Sequence, residues 1–418
     1  MWYELLIDQF KAALAPQVVQ FIIYFSPIAL ALILANIFWD VWVRYIRAKF
    51  YNSLKYSTLE IRLPRDMFKS PLAMESFLNS IHNTADGSLY AQYWKGEYRP
   101  YYSLEIVSIE GIIKFFIWCE DRRKGGIMTA LYAQFPGIEV HEVEDYSRSV
   151  HFDPKTMKIW STEFKFTKDD PYPIKTYMDY GLDKDPKEEF KVDPLLPMLE
   201  FMGSIKPNQQ VWIQMLIRAH KDDQRKPGHL WKKTDLWKDK AEELINKIMI
   251  RDAKTKVSGE VNPETGYSKL PTMSEADKNL LEALARSITK LAFDTGIRAV
   301  YISPRDTFDT PFGIGGIIGN MKQFNNEHLN GFKPTGKWFQ FDYPWQDYKN
   351  MRRNNQSHLV LKAYKRRSYF YPPYKRKPMV LNTEELATIY HFPGSIAVTP
   401  TLQRIPSKKS EAPTNLPV

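Results

Sequence analysis

The sequence predicts an α+β protein, an N-terminal transmembrane helix followed by two ferredoxin-like (split β-α-β) sandwiches, the second with a helical insertion. Three observations predict it. A run from Val18 to Trp39 carries no charge, residues 58–143 show a β-α-β-β-α-β succession of apolar periods, and residues 157–308 repeat that succession in enlarged form. At 418 residues the chain is too long for one ordinary core, so two or three domains are expected. With 44% hydrophobic and 25% charged residues the composition is that of a folded protein. Pro (28) outnumbers Gly (19), which favours stiff connections. The single cysteine, Cys119, excludes an intrachain disulfide framework or a thiolate cluster and suits a reducing cytosol. A net charge of +10 favours an anionic partner, nucleic acid or the acidic face of a membrane, without choosing between them.

The run VVQFIIYFSPIALALILANIFW is long enough to cross a hydrocarbon layer of ~30 Å as a helix. A cleavable signal peptide is the rival, but such peptides open with a basic region, and this chain opens MWYELLIDQF. Arg44, Arg47, Lys49 and Lys55 follow the run, whereas Glu4, Asp8 and only Lys11 precede it, so the positive-inside rule puts the C-terminal bulk in the cytoplasm. Trp39, Trp42 and Tyr45 suit the headgroup belt. Leu5, Leu6, Phe10 and Leu14 share one helical face, which fits either a segment lying on the outer leaflet or a plain amphipathic start.

In the first soluble domain TLEIRL (58–63) reads as a strand. Ser70 caps a helix whose first residue is Pro71. Tyr101–Ile109 and Ile112–Cys119 form a hairpin across Glu110-Gly111. Asp121 opens a second helix to about Phe135, and GIEVHEV from Gly137 supplies a fourth strand. In the second copy MKIWSTEFKF (157–166) is a strand, DPLLPMLEFMGSI (193–205) parallels the first helix, QVWIQMLIRA (210–219) parallels the first hairpin strand, and IRAVYISPRDTF (297–308) ends on the PRDxF pattern seen also in PRDMF (64–68). The insertion, about 220–293, holds helices around 235–252 and 274–292, the second capped by Ser274. Mixed-charge helices of this kind read as solvated or oligomer-contacting. The expected divisions are residues 1–50 for the amphipathic start and anchor, 51–150 for the first sandwich, 151–345 for the second, 346–395 for a basic aromatic segment with a following helix, and 396–418 for a Pro-rich tail.

No motif with a catalytic mechanism is present. There is no phosphate-binding loop, and GIGGIIG (313–319) lacks both the dinucleotide spacing and a following lysine, so its small residues read as permitting close packing. DYGLDKDPKEEF (179–190) resembles a calcium loop only superficially, without the Gly at the sixth place or the Glu at the twelfth. The eight histidines show no metal-ligand spacing, His391 being the one to watch, and Cys119 lies in an apolar strand. No catalytic residue, cofactor or metal is therefore expected, and the chain is expected not to be an enzyme.

The strongest charge feature lies between Met351 and Met379, where Arg352, Arg353, Lys362, Lys365, Arg366, Arg367, Lys375, Arg376 and Lys377 stand without an Asp or Glu. Tyr364, Tyr369, Phe370, Tyr371 and Tyr374 are interleaved. Three readings stay open. The cations and rings suit the phosphates and unpaired bases of single-stranded nucleic acid; they suit an anionic headgroup layer; or SHLVLKAYKRRSY is an edge strand with its cations in water.

MVLNTEELATIYHFPGS (379–395) follows, a helix capped by Asn382 or Thr383 and stopped by Pro393-Gly394. This block resembles the element that precedes the motor in membrane-anchored conjugative DNA-transfer proteins of type IV secretion, coupling-protein-like relatives of the HerA and FtsK translocases. A membrane span, an α/β region, this helix and the Pro-rich approach RIPSKKSEAPTNLP (404–417) share the family's order. The resemblance implies an inner-membrane, single-pass protein with its bulk cytoplasmic. No motor follows before Val418, which leaves two implications open: a separately encoded, non-catalytic platform that docks a hexameric translocase ATPase in trans, forms a homo-oligomer and can contact DNA, or the front part of a longer or split coupling protein. Asn382, Thr383, Glu384, Glu385, Leu386, His391 and Pro393 carry the motif, with capping and packing as their expected work. The alternative from another class is a membrane-surface scaffold that binds anionic lipid.

Overall fold

The computed structural model describes residues 2–64, 69–183, 193–221, 224–225, 233–257, 274–335, 341, 343–394 and 404–405. The described chain divides into two compact units, one of residues 1–54 with 86–98 and one of 55–85 with 99–418. The first is dominated by α1 (Trp2–Ser53), 52 residues and so about 78 Å long. Its stretch Tyr24–Ser53 is the one candidate membrane span among the described residues, long and apolar enough to cross, with almost all its side chains uncovered.

The second unit is built on one ten-stranded, almost wholly antiparallel sheet. Its elements in chain order begin with β1 (Tyr56–Pro64), α2 (Pro71–Ile81), β2 (Tyr101–Ile109), β3 (Ile112–Glu120), α3 (Lys124–Gln134) and β4 (Glu139–Val143). Next come β5 (Met157–Phe166), α4 (Leu196–Gly203), β6 (Gln210–Ala219), the two-residue pair β7 (Gln224–Arg225) and β8 (Lys233–Thr234), α5 (Leu236–Val257) and α6 (Glu275–Ile288). The chain closes with β9 (Ala292–Pro304), α7 (Gly315–Met321), β10 (Phe332–Pro334), α8 (Met351–Lys365), β11 (Met379–Asn382), α9 (Thr383–Ile389) and β12 (Arg404–Ile405).

Local chemistry sets the first elements as expected. The Ser70 hydroxyl accepts the Leu72 N–H at the start of α2, where Pro71 loses no hydrogen bond. Glu110 and Gly111, both at positive φ, make the two-residue turn between β2 and β3. Strands β5 and β6 keep the predicted bounds. The PRDMF pattern lies outside the described residues apart from Pro64, as do residues 184–190 of the acidic connector and all of the tail except 404–405.

Strand neighbours run β10-β5-β9-β6-β2-β3-β1, with β4 on the other side of β1. The first half therefore has the order β4-β1-β3-β2 and the second β10-β5-β9-β6, the same succession of first, second, third and fourth strands. What differs from expectation is their junction. The halves do not form two separate sandwiches, because the edge strands β2 and β6 pair antiparallel from Tyr101 opposite Arg218 to Ile109 opposite Gln210, leaving one sheet. An edge strand that pairs no longer offers bare N–H and C=O groups to water.

Helices α2, α3, α4, α7 and α9 cover one face through Met74, Phe77, Leu131, Leu199, Ile317 and Leu386, which share a single apolar core. Close packing here uses the glycine cluster, since a Cβ at Gly316 would strike the Phe201 ring and one at Gly313 the Tyr301 ring. On the opposite face α8 lays Val360, Leu361 and Tyr364 against Val107, Trp212, Val300 and Ile302.

The insertion is tied to the sheet at its base. The His220 ring sits between Asp294 of β9 at 2.6 Å and Asp235 at 3.2 Å, and Asp235 also accepts the Trp237 N–H at the start of α5. Burial works against the imidazolium, but the two carboxylates more than offset it and raise His220 to about 9. Folded protein thus keeps a proton that the unfolded chain releases near 6.5. The His220 contribution is complete below about pH 6.5 and is lost as pH rises through 9. Thermal unfolding of the full chain in nanodiscs should show stability falling from pH 6.5 to 9.5, and His220→Gln should flatten that slope; equal stability at both ends in the parent chain would refute the assignment.

Candidate functional site

The sheet face beneath α8 holds a row of buried polar side chains. Glu163 on β5, Arg298 on β9, Gln214 on β6 and Glu105 on β2 stand directly opposite one another across four neighbouring strands. Each is at most 9% exposed, and α8 with the loop behind it meets every one of them. Gln214 donates to Glu105 at 3.0 Å and to the Tyr364 carbonyl at 3.3 Å. Arg298 donates to Glu163 at 2.9 Å and to the Ser368 carbonyl at 3.3 Å.

This row decides the fate of the basic aromatic segment. Arg367, fully buried, is bonded to Glu105 at 3.0 Å and to both oxygens of Asp145. Lys365 donates to the Val150 carbonyl at 2.6 Å. The Tyr374 hydroxyl donates to Glu163 at 2.8 Å, and Arg376 reaches the same carboxylate at 3.4 Å. Tyr369 is buried with its hydroxyl on the Lys377 carbonyl, and Tyr371 donates to the Arg99 carbonyl. Arg367 and the rings of Tyr364, Tyr369 and Phe370 are therefore interior groups, occupied by the sheet. Arg352, Lys362, Arg366, Lys375 and Lys377 face outward together with the partly covered Arg376.

SHLVLKAYK is part of α8 and not an edge strand. Alternation over so few residues fits either period, and the Asp347 carboxylate settles the choice by accepting the Arg352 N–H at 2.7 Å and the Arg353 N–H at 3.2 Å. Lys349 and Asn350 just before the helix are both left-handed, which turns the chain sharply into it.

The helix after β11 is interior throughout. Asn382 and Glu385 form a reciprocal capping box, the Glu385 N–H donating to Asn382 at 2.8 Å and the Asn382 N–H to Glu385 at 2.9 Å. Burial pushes the Glu385 carboxyl up to about 8. Glu384 pairs with Arg286 at 3.1 Å and Lys290 at 2.9 Å, and accepts from Thr176. Thr383 donates to Glu75 at 3.4 Å, and Leu386 lies in the core. His391 bridges the Ala387 carbonyl and Asp193 at 3.1 Å, and Pro393 is buried beside it. Burial disfavours charge on His391, yet Asp193 raises its pKa overall.

A second group of cations lies elsewhere on the α8 face. A cleft of about 380 Å³ opens between the start of β5, the end of β9 and the first turn of α8. Lys158, Arg305 and Arg353 line it with Asn350, Asn354 and Ser357, and Asp306 is the one carboxylate among its described lining residues. The register that sets Lys158 opposite Ser303 brings Arg305 to the same strand end. Partial burial, then the charges of Arg353 and Arg305, hold the Lys158 ammonium below its ordinary value. Its Nζ lies 4.1 Å from the centre of the Phe308 ring. In the short turns that lead into Asn350 and α8, Trp345 and Tyr348 are 77% and 70% exposed. Tyr343 stacks on Trp345 at 4.8 Å. Of the expected contact residues only Arg353 lines this cleft. Lys158 and Arg305 are separated in sequence and carry no local signal, but Trp345 and Tyr348 directly precede MRRNN and were legible as an aromatic approach to a basic helix.

What these features define is an α+β protein with one antiparallel sheet, one long apolar helix and a cationic cleft. The chain belongs to DUF8128, a domain family of unknown function whose model matches residues 49–404. No curated protein matches it.

Removing Arg367 leaves Glu105 and Asp145 buried without their cation. Arg367→Leu should therefore cost about 3–5 kcal/mol in denaturant unfolding of the full chain, whereas Lys362→Leu on the exposed side of α8 should stay within about 0.5 kcal/mol. Equal effects would show that the buried network does not hold the sheet.

Proposed function

We propose that this chain is a non-catalytic, membrane-anchored platform that holds single-stranded nucleic acid at a cationic cleft and docks a hexameric translocase ATPase in trans. The observation that carries the nucleic-acid part is Lys158, Arg305 and Arg353 sharing one cleft with a single carboxylate among its described lining residues, and the chain that leads into this cleft at Asn350 exposes Trp345 and Tyr348. Three like charges gathered in one cleft are relieved by a phosphodiester, and bases without a complementary strand stack on exposed aromatics. Arg352 and Lys362 extend the positive charge along α8.

The apolar helix and the basic residues after it support the anchor, with the sheet unit in the cytoplasm under an inner membrane. The two strand orders support reading the halves as ferredoxin-like units fused edge to edge. Resemblance of the NTEELATIYHFP block to conjugative coupling proteins supports the docking role, and homo-oligomerisation would follow from a hexameric partner.

Full chain in nanodiscs of zwitterionic lipid should bind a fluorescent single-stranded oligonucleotide with strong salt dependence. Lys158→Ala, Arg305→Ala and Arg353→Ala together should weaken binding at least tenfold and lower the salt slope by about 0.7 per lost phosphate contact. Trp345→Ala should cost about 1–3 kcal/mol. Binding that the triple variant leaves unchanged would overturn the proposed site. Binding transferred to anionic vesicles alone would favour a lipid scaffold.

A further inference from the structure

Residues 86–98 form one compact unit with α1, although the residues on either side of them belong to the other unit. They run beside α1 in the same direction, touching it along one helical stripe. Tyr93 lies 5.5 Å from Trp39 ring to ring, and its carbonyl accepts the Trp42 indole N–H at 3.1 Å. Trp94 meets Trp42 edge-on at 5.7 Å, and Tyr98 meets Phe50 edge-on at 5.6 Å. Between them Gly96, φ +77°, rests on the Ile46 carbonyl so closely that any side chain would collide with α1. Positions 39, 42, 46 and 50 recur at the three- and four-residue spacing of one helix face.

The other side of this segment is uncovered. Leu89, Tyr90 and Trp94 are 72%, 61% and 58% exposed around a single π-helical turn, Ala91–Lys95, and the Lys95 ammonium lies 5.8 Å from the Tyr90 ring centre. Trp94 sits at the level of Trp42, about 4.5 Å past the end of the uncharged run at Trp39. In a spanning helix that level is the headgroup layer, about 5–8 Å deep on each side of the hydrocarbon. Large apolar groups, two amphipathic rings and a lysine are the side chains that this layer accepts.

We propose that residues 89–95 are a second, monotopic membrane contact, with Leu89, Tyr90 and Trp94 entering the headgroup layer of the bilayer that α1 crosses. Continuity with the span names the occupant: Tyr93 and Trp94 touch the Trp39–Trp42 belt, and the uncovered Leu89 and Tyr90 precede them by about one helical turn. The inference rests on the reading of α1 as a span.

Single cysteines carrying an environment-sensitive fluorophore test both separately, in the full chain in nanodiscs. Cys119 is buried and its thiol is pushed up to about 12 by burial, so the native background serves. A label at Leu89→Cys should be blue-shifted and quenched several-fold more by lipid spin-labelled near the headgroup than by lipid labelled at the chain end. A label at Leu32→Cys should show the reverse preference, and one at the exposed Lys155→Cys should be quenched by neither. Adding Tyr90→Ser and Trp94→Ser should abolish the shallow quenching at Leu89→Cys. A Leu89→Cys label that behaves like Lys155→Cys while Leu32→Cys is quenched overturns this contact and leaves the span. A Leu89→Cys label that is shielded but unquenched assigns the surface to a protein neighbour and also overturns it. Absence of quenching at Leu32→Cys overturns the span and this inference with it.

Discussion

The arrangement of the sheet unit depends on the row Glu163, Arg298, Gln214 and Glu105. Four polar side chains directly opposite one another across β5, β9, β6 and β2 cannot be covered by an apolar helix, because each buried group without a partner would cost about 1–3 kcal/mol, and more where it is charged. They also straddle the β2–β6 junction where the two halves meet. Whatever covers that junction has to bring both charges and hydrogen bonds. The segment from Tyr364 to Arg376 supplies the Tyr364 and Ser368 carbonyls, the Arg367 guanidinium and the Tyr374 hydroxyl at the required places. Its basic and aromatic composition is thus accounted for in large part by the face it lies on.

The same logic organises the other face. There the core is apolar, and the charges are pushed to its margin, where Glu75, Glu384, Lys290 and Arg286 join α2, α9 and the end of the insertion. Helix α9 is only seven residues, too short to be stable alone. A reciprocal cap at its start, the ion pairs of Glu384 and the Asp193 contact of His391 fix it instead. Its acidic pair serves packing, and the motif's sequence regularity needs no reacting group to explain it.

Much of this was legible in the residues. Ser70-Pro71 marks a helix start by chemistry that involves no distant partner, and Glu110-Gly111 marks a hairpin in the same way. The pairing of β2 with β6 was not legible, since a strand buried on both faces shows no alternation to betray which edge it will use. Nor does sequence distinguish Arg366, in water, from Arg367, fully buried one residue later. The difference is set by Glu105 and Asp145, more than two hundred positions away. The cleft was hidden for a related reason, because strand register, and no motif, sets Lys158 beside Arg305.

Separating interior from exterior cations sharpens what a net charge of +10 can mean. Arg298 and Arg367 are neutralised within the sheet face and contribute nothing to attraction at a distance. The attraction that remains comes from groups left in water or in a poorly shielded cleft, which on the α8 side include Arg352, Lys362, Arg366, Lys158, Arg305 and Arg353. The turns that lead into α8 expose Tyr343, Trp345 and Tyr348, while Tyr364, Tyr369 and Phe370 of the basic segment are buried in packing. For the binding proposed here, cations in water together with exposed rings in the same stretch of chain favour a flexible anionic chain, which can present phosphate and base separately. A rigid duplex, whose bases are already stacked on one another, would use the charge and leave the rings idle.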